Sequence, residues 1–149
     1  MPDTPHAGVG AFVGDAKNTA PQPAAVAGGT FKFKLALNGV PIGWLGLGGA
    51  QSIWASVVDT KEQAAPFQWY PYSGTTYLFD PNGCYMTWSG LSGSPVACNT
   101  WAYANGWRLE GNRLIATDSN QSLSRYSGGT PWLYANNDYT VLDVAIELV

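Results

Sequence analysis

The sequence carries little charge, and little of that charge is positive. Only 11% of its 149 residues are charged, with seven Lys and Arg against ten Asp and Glu, and the formal net charge is −3. Nucleic-acid phosphates bind clusters of basic side chains, so seven scattered cations give no reason to expect a nucleic-acid partner. The same scarcity excludes a basic helix that lies on a membrane surface.

Long apolar runs are missing as well. No stretch approaches the roughly 18 apolar residues of a membrane-spanning helix, so no membrane insertion is expected. The first residues include Asp3 and lack both the basic region and the long apolar region of a secretory signal peptide. The sequence therefore leaves the location open between the cytoplasm and secretion by a non-classical route.

Histidine and cysteine are scarce, which limits catalytic and metal chemistry. The single histidine is His6, so a Ser-His-Asp or Cys-His site would need the N-terminal segment to fold back. One histidine and two cysteines are too few for a structural zinc site, and no cofactor is expected. The sequence therefore predicts no enzyme, although carboxylates such as Glu110 and Asp118 keep a small glycosidase open as a third hypothesis.

The two cysteines, Cys84 and Cys98, lie close together in the chain. A disulfide between them would add about 3 kcal/mol of stability by restricting the unfolded chain. Two buried free thiols are the alternative, and the sequence leaves both open.

Aromatic residues, glycine and proline are abundant. Seven Trp, eight Tyr, 18 Gly and ten Pro favour many short strands joined by turns. We therefore expect an all-β protein with a single domain over residues 30–149. Residues 1–29 are rich in Ala, Pro and Gly and are predicted to form a flexible arm, whose apolar patch at residues 11–13 could dock on the domain or on a neighbouring subunit.

Alternation of apolar and polar residues marks the first and last strands. Residues 30–37 alternate with period two, which predicts a strand with four residues facing inward: Phe31, Phe33, Leu35 and Leu37. Asn38-Gly39 follows as a strong hairpin signal. Residues 139–148 alternate in the same way and are expected to pair with the first strand and close the sheet.

Tryptophans recur at similar intervals, which indicates an internal repeat. Trp101 stands almost midway between Trp69 and Trp132 in the chain. Tight turns are predicted at Asn38, Asn82 and Asn112. Three such units predict a pseudo-threefold barrel capped by hairpins, of the β-trefoil type. A two-sheet jelly-roll sandwich is the alternative, because short aromatic strands suit it equally well.

The same tryptophans carry a resemblance to a known family. A polar residue stands one or two positions before each tryptophan, in Gln68-Trp69, Asn99-Thr100-Trp101 and Thr130-Pro131-Trp132. In this the chain resembles the ricin-B-type β-trefoil lectins, whose three repeats carry a Gln-x-Trp signature. In that family a sugar site uses an early Asp, an aromatic residue in a following hairpin and a later Asn or Gln. The resemblance implies a site at Asp118, Tyr134 and Asn137, and a second one at Asp80, Trp101 and Asn105.

Sugar recognition also follows from the residue types. A pyranose ring stacks on an aromatic face, and its hydroxyl groups pair with carboxylates and amides. Such side chains cluster near the C-terminal turns: Asp118, Asn120, Gln121, Tyr134, Asn136, Asn137 and Asp138. We therefore expect a lectin that binds glycans, although the recurring tryptophans are more often core residues. The alternative is a non-enzymatic interaction or assembly module, such as a protease inhibitor or a shell or adhesin subunit that forms a homo-oligomer.

Overall fold

Strands are the main secondary structure in the part of the chain that the structure describes. The computed structural model describes residues 27–47, 54–88, 95–126 and 131–149, so the greater part of the predicted arm, with His6, lies outside the described residues. Within these ranges the protein is all-β, as predicted, with two short 3₁₀ helices at Lys61–Gln63 and Trp101–Tyr103.

The strands are short, as the turn-rich composition requires. Their bounds are β1 Ala27–Leu37, β2 Val40–Leu47, β3 Ala55–Val58, β4 Phe67–Tyr72, β5 Thr75–Asp80, β6 Cys84–Thr87, β7 Ala97–Asn99, β8 Trp107–Glu110, β9 Arg113–Ala116, β10 Gln121–Arg125, β11 Leu133–Ala135, β12 Thr140–Val141 and β13 Asp143–Leu148. They hydrogen-bond into an eight-stranded sheet and a five-stranded sheet.

The first strand has the orientation that its alternation predicts. Phe31, Phe33 and Leu35 are buried in the main core, and Leu37 packs against it half-buried. The last strand pairs with the first, as predicted. β13 runs antiparallel to β1, with Phe31 opposite Leu148 and Ala36 opposite Asp143. The alternating pattern therefore identifies both strands and the face that each one buries.

Six strands make a nearly closed ring. In ring order they are β1, β4, β5, β8, β9 and β13, and β13 returns to β1. A single bridge between Tyr77 and Gly106 joins β5 to β8, and the backbone N–H of Val144 donates to the carbonyl of Asn112 at 2.8 Å to join β13 to β9. Gly106 is required at its bridge, since a Cβ there would lie 2.5 Å from the Thr75 methyl group.

Three strand pairs meet at one end of this ring. The pairs are β2 with β3, β6 with β7 and β10 with β11. Isolated bridges join the three pairs to one another, between Trp54 and Ala97, between Ser56 and Trp132, and between Pro95 and Tyr134. Backbone N–H groups continue the connection, from Ala55 to the carbonyl of Val96 and from Val96 to the carbonyl of Leu133, each at 2.8 Å. This arrangement forms a cap over one end of the ring.

The tryptophans of the predicted repeat lie in different kinds of secondary structure. Trp69 lies in β4 and Trp101 in a 3₁₀ helix. Three other residues share one feature, since the carbonyls of Leu45, Met86 and Leu123 each accept a hydrogen bond from the segment that follows a capping pair. These three buried residues are almost evenly spaced along the chain, at a wider interval than the tryptophans.

The three predicted turns each join neighbouring strands. Asn38 joins β1 to β2, Asn82 joins β5 to β6, and Asn112 joins β8 to β9, two strands of the ring. A further connection, from β9 to β10, contains Asn120, which has a left-handed backbone (φ 59°) like that of Asn38 (φ 51°).

Candidate functional site

The turn between β11 and β12 is held by the side chain of Asn137. Its Oδ1 accepts from the backbone N–H of Ser122 at 2.8 Å, and its Nδ2 donates to the carbonyl of Asn120 at 3.0 Å. Its own backbone N–H donates to Oε1 of Gln121 at 2.9 Å. Asn137 and Gln121 thus lie together, as predicted, but their contacts fix the turn to β10.

Asn136 stabilises the same turn through hydrogen bonds of its backbone and its side chain. Its backbone N–H donates to the hydroxyl of Ser124 at 3.0 Å, and its Oδ1 accepts from the backbone N–H of Asp138 at 2.9 Å. Asp138 is exposed, so the hydrogen bond from its backbone N–H to Asn136 holds its carboxylate at the surface. The turn therefore presents an anionic acceptor on a rigid support.

Three tyrosines lie beside this turn. Tyr134 is buried, and its ring meets that of Tyr139 edge-on at a centroid distance of 5.3 Å. Tyr139 is half-buried and contacts Tyr126 at 5.1 Å, while Tyr126 is 47% exposed. We call Tyr126 and Tyr139, with Asn136 and Asp138, the tyrosine surface. Tyr126 and Tyr139 were not among the residues that the sequence singles out.

A sequence signal for this pair exists but is weak. Ser122, Ser124 and Tyr126 alternate along one face of a strand, and Tyr139 follows the polar turn directly. What brings the rings together is the pairing of β10 with both β11 and β12, where Arg125 lies opposite both Leu133 and Thr140. No local sequence pattern predicts the register of these strand pairs.

The other two residues of the predicted C-terminal site point elsewhere. Oδ1 of Asn120 accepts from Nη2 of Arg108 at 2.6 Å, which ties its turn to β8. Asp118 is exposed, and its negative charge acts on Tyr77 of β5, whose pKa is raised chiefly by burial and further by this carboxylate. The structure thus brings the Gln121 side chain and the Asn120 carbonyl to Asn137, whereas the Asn120 side chain bonds Arg108 and the charge of Asp118 acts on Tyr77.

The side chains of the second predicted site pack and hydrogen-bond within the protein. Asp80 is buried and accepts from the backbone N–H of Asn82 at 2.8 Å; burial raises the pKa of its carboxyl group, against the opposing effect of Asn82. Trp101 is buried among aromatic rings, with Tyr77 at 4.7 Å. Oδ1 of Asn105 accepts from the hydroxyl of Thr87 at 3.1 Å. These three side chains therefore do not meet at an open surface.

Glu110 and the two cysteines have partners within the protein. Glu110 forms an ion pair with Arg108 at 2.9 Å. Among residues 27–47, 54–88, 95–126 and 131–149, Asp80, Cys84 and Cys98 are the grouping of ligand-type side chains. Cys84 and Cys98 form a disulfide, the first of the two alternatives that the sequence leaves open. Because bonded sulfurs carry no thiolate, this grouping has no metal-binding thiolates.

Comparison of the chain with known protein families, curated protein sequences and solved structures finds no match. In the described ranges, no helix is long and apolar enough to cross a membrane. The function must therefore be inferred from the chemistry of the surfaces.

Proposed function

We propose that the protein is a non-enzymatic carbohydrate-binding protein, a lectin, and that it binds glycans at the tyrosine surface. The observation that carries the proposal is the contact between the exposed ring of Tyr126 and the half-buried ring of Tyr139, beside the turn that holds Asp138 at the surface. The contacts of Asn137 make that turn rigid, so little conformational entropy is lost on binding.

The chemistry of this surface suits a sugar ring. An aromatic face packs against the C–H groups of a pyranose, while a carboxylate accepts hydrogen bonds from two neighbouring hydroxyls. Tyr126 and Tyr139 supply the rings and their phenol groups, and Asp138 supplies the carboxylate. Each site is expected to bind weakly and to gain affinity through avidity.

We infer further that the fold is a β-trefoil. Three observations support this: the ring of six strands, the three strand pairs bridged at one end, and the near-even spacing of Leu45, Met86 and Leu123. A two-sheet sandwich would instead stack two separate sheets face to face. A crystal structure with a threefold relation among these residues would test the inference.

A glycan-array screen of the labelled full chain tests the lectin proposal. Selective binding is expected for the unchanged protein, with loss of signal in Tyr126→Ala and in Asp138→Ala. Tyr72→Ala is the matched control, because Tyr72 is a 40% exposed tyrosine that lies outside the tyrosine surface. Each variant is checked by circular dichroism for an unchanged fold.

Two results would overturn the proposal. One is a blank array with folded protein, and the other is an equal loss of signal in Tyr72→Ala. In either case the assembly or interaction module becomes the better account. Sedimentation velocity over a concentration series would then measure whether the chain forms a homo-oligomer.

A further inference from the structure

The end of the strand ring opposite the cap holds a cavity. It has a volume of about 470 Å³ and is lined by Trp69, Pro71, Thr76, Trp107, Arg108, Leu109 and Ile146. Pro71 and Thr76 face each other next to the β4–β5 turn, which places the cavity at the end of the ring farthest from the capping strand pairs. The volume lies within the range of about 300–1,000 Å³ that is typical of small-molecule sites.

Three ring strands supply its apolar wall. Trp69 of β4, Leu109 of β8 and Ile146 of β13 are half-buried, and each packs against the main core. Two positions before each of them stands a buried core residue, Phe67, Trp107 or Val144. The ring interior is therefore filled beneath the cavity and left open above it, since alternate residues of a strand share one face.

Its polar groups are mostly occupied by the protein itself. Nε1 of Trp107 donates to the carbonyl of Met86 at 3.3 Å. The guanidinium of Arg108 donates to Glu110 at 2.9 Å and to Asn120 at 2.6 Å, so its charge is compensated. The hydroxyl of Thr76 remains to bind a ligand. The cavity therefore suits a neutral ligand better than an ionic one, because the charge of Arg108 is already paired with Glu110.

We propose that this cavity is a second binding site, distinct from the tyrosine surface, for a compact and uncharged aromatic ring compound. The ring lies against the half-buried indole of Trp69 and against Leu109 and Ile146, above the buried Trp107, and one polar group of the ligand hydrogen-bonds the hydroxyl of Thr76. Offset or edge-on packing of aromatic rings supplies the preference for a planar ligand over an aliphatic one.

Titration of the full chain with 5-fluoroindole, followed by ¹⁹F NMR, tests the proposal. Saturable binding is expected at one site. Thr76→Phe fills the cavity on a strand that accepts aromatic residues, and it should weaken the affinity about tenfold or more, which corresponds to about 1.4 kcal/mol. Val40→Phe is the control, because Val40 is 63% exposed and does not line the cavity, and its affinity should equal that of the unchanged protein.

A second variant keeps the test decisive if Thr76→Phe does not fold. Ile146→Ala enlarges the cavity, and it should raise the affinity for 2-naphthol relative to 5-fluoroindole several-fold. The proposal is overturned by non-saturable binding, by equal losses in Thr76→Phe and Val40→Phe, or by an unchanged ligand preference in Ile146→Ala. It is also overturned if an anionic analogue, indole-3-carboxylate, binds as tightly as 5-fluoroindole.

Discussion

The side-chain oxygen of Asn137 accepts a hydrogen bond from the backbone N–H of Ser122, which lies 15 positions earlier in the chain, at 2.8 Å. With its amide bonded to the carbonyl of Asn120, Asn137 holds the β11–β12 turn on β10. The turn in turn supports Asp138, the acceptor of the tyrosine surface. We therefore propose that Asn137 is a positioning residue of the site and that the tyrosine surface makes the sugar contacts.

Replacement of Asn137 should measure this support. Asn137→Ala removes two side-chain hydrogen bonds and leaves the Ser122 N–H without its acceptor, so the free energy of unfolding should fall by about 1–3 kcal/mol. Urea denaturation gives the value. Asp138→Ala is the neighbouring control, since Asp138 is exposed, and it should change stability by less than about 0.5 kcal/mol. Equal effects of the two substitutions would contradict the assigned roles.

The disulfide gives a second prediction. Because Cys84 and Cys98 close a short loop, with a sequence separation of 14, reduction should lower the free energy of unfolding by about 3 kcal/mol. Urea denaturation with and without a phosphine reductant measures this change. The double variant Cys84→Ala/Cys98→Ala should show the lowered stability already and should not respond to the reductant. A response of the double variant would trace the effect to something other than the disulfide.

Asp80 predicts a pH dependence with a definite sign. Burial raises the pKa of its carboxyl group in the folded protein above the unfolded value, so between these two pKa values the folded state binds more protons. Stability from this group therefore falls as pH rises from the unfolded pKa through the folded pKa, and it is fully present only at lower pH. Denaturation midpoints across this window would show the trend.

Two variants separate the charge of Asp80 from its hydrogen bond. Asp80→Asn keeps an oxygen acceptor for the Asn82 N–H and removes the buried charge, so it should flatten the pH dependence without loss of stability at neutral pH. Asp80→Ala removes the acceptor and should cost about 1 kcal/mol. A wild-type pH profile in Asp80→Asn would show that another group is responsible.

Substitutions of Trp101 test whether this residue belongs to the core or contacts the sugar. Its ring is packed against Tyr72 and Tyr77 at centroid distances of 5.3 and 4.7 Å, and it is buried. Trp101→Ala should therefore lower the free energy of unfolding by about 3–5 kcal/mol. Trp101→Phe should retain the glycan binding proposed for the tyrosine surface, as read on the same array. Loss of binding in a stable Trp101→Phe protein would return Trp101 to the set of sugar-contacting residues.

Local patterns predicted a large part of the fold because they act at short range. Alternation over residues 30–37 and 139–148 indicates which face of each strand is buried, although the structure divides the second segment into β12 and β13. The backbone preferences of Asn38-Gly39 specify a tight hairpin with little help from the rest of the chain.

The interval between tryptophans is weak evidence for a repeat, because tryptophan is a good core residue at many positions. Trp54 and Trp132 meet at 4.7 Å in the cap, whereas Trp69 and Trp107 line the cavity. Equal spacing of one residue type therefore does not identify equivalent positions. Leu45, Met86 and Leu123, whose carbonyls accept similar hydrogen bonds, are of ordinary apolar types that a sequence does not distinguish.

By itself the sequence determined the all-β class, the strand faces and the polar character of the C-terminal turns. Only the tertiary structure decided which polar side chains remain open to a ligand. Whether an amide faces solvent depends on strand register across residues that are distant in the chain, as the bond between Asn137 and Ser122 shows. Burial then separates the enclosed Asp80 and Trp101 from the exposed Tyr126 and Asp138, because burial is a property of packing that residue type alone does not fix.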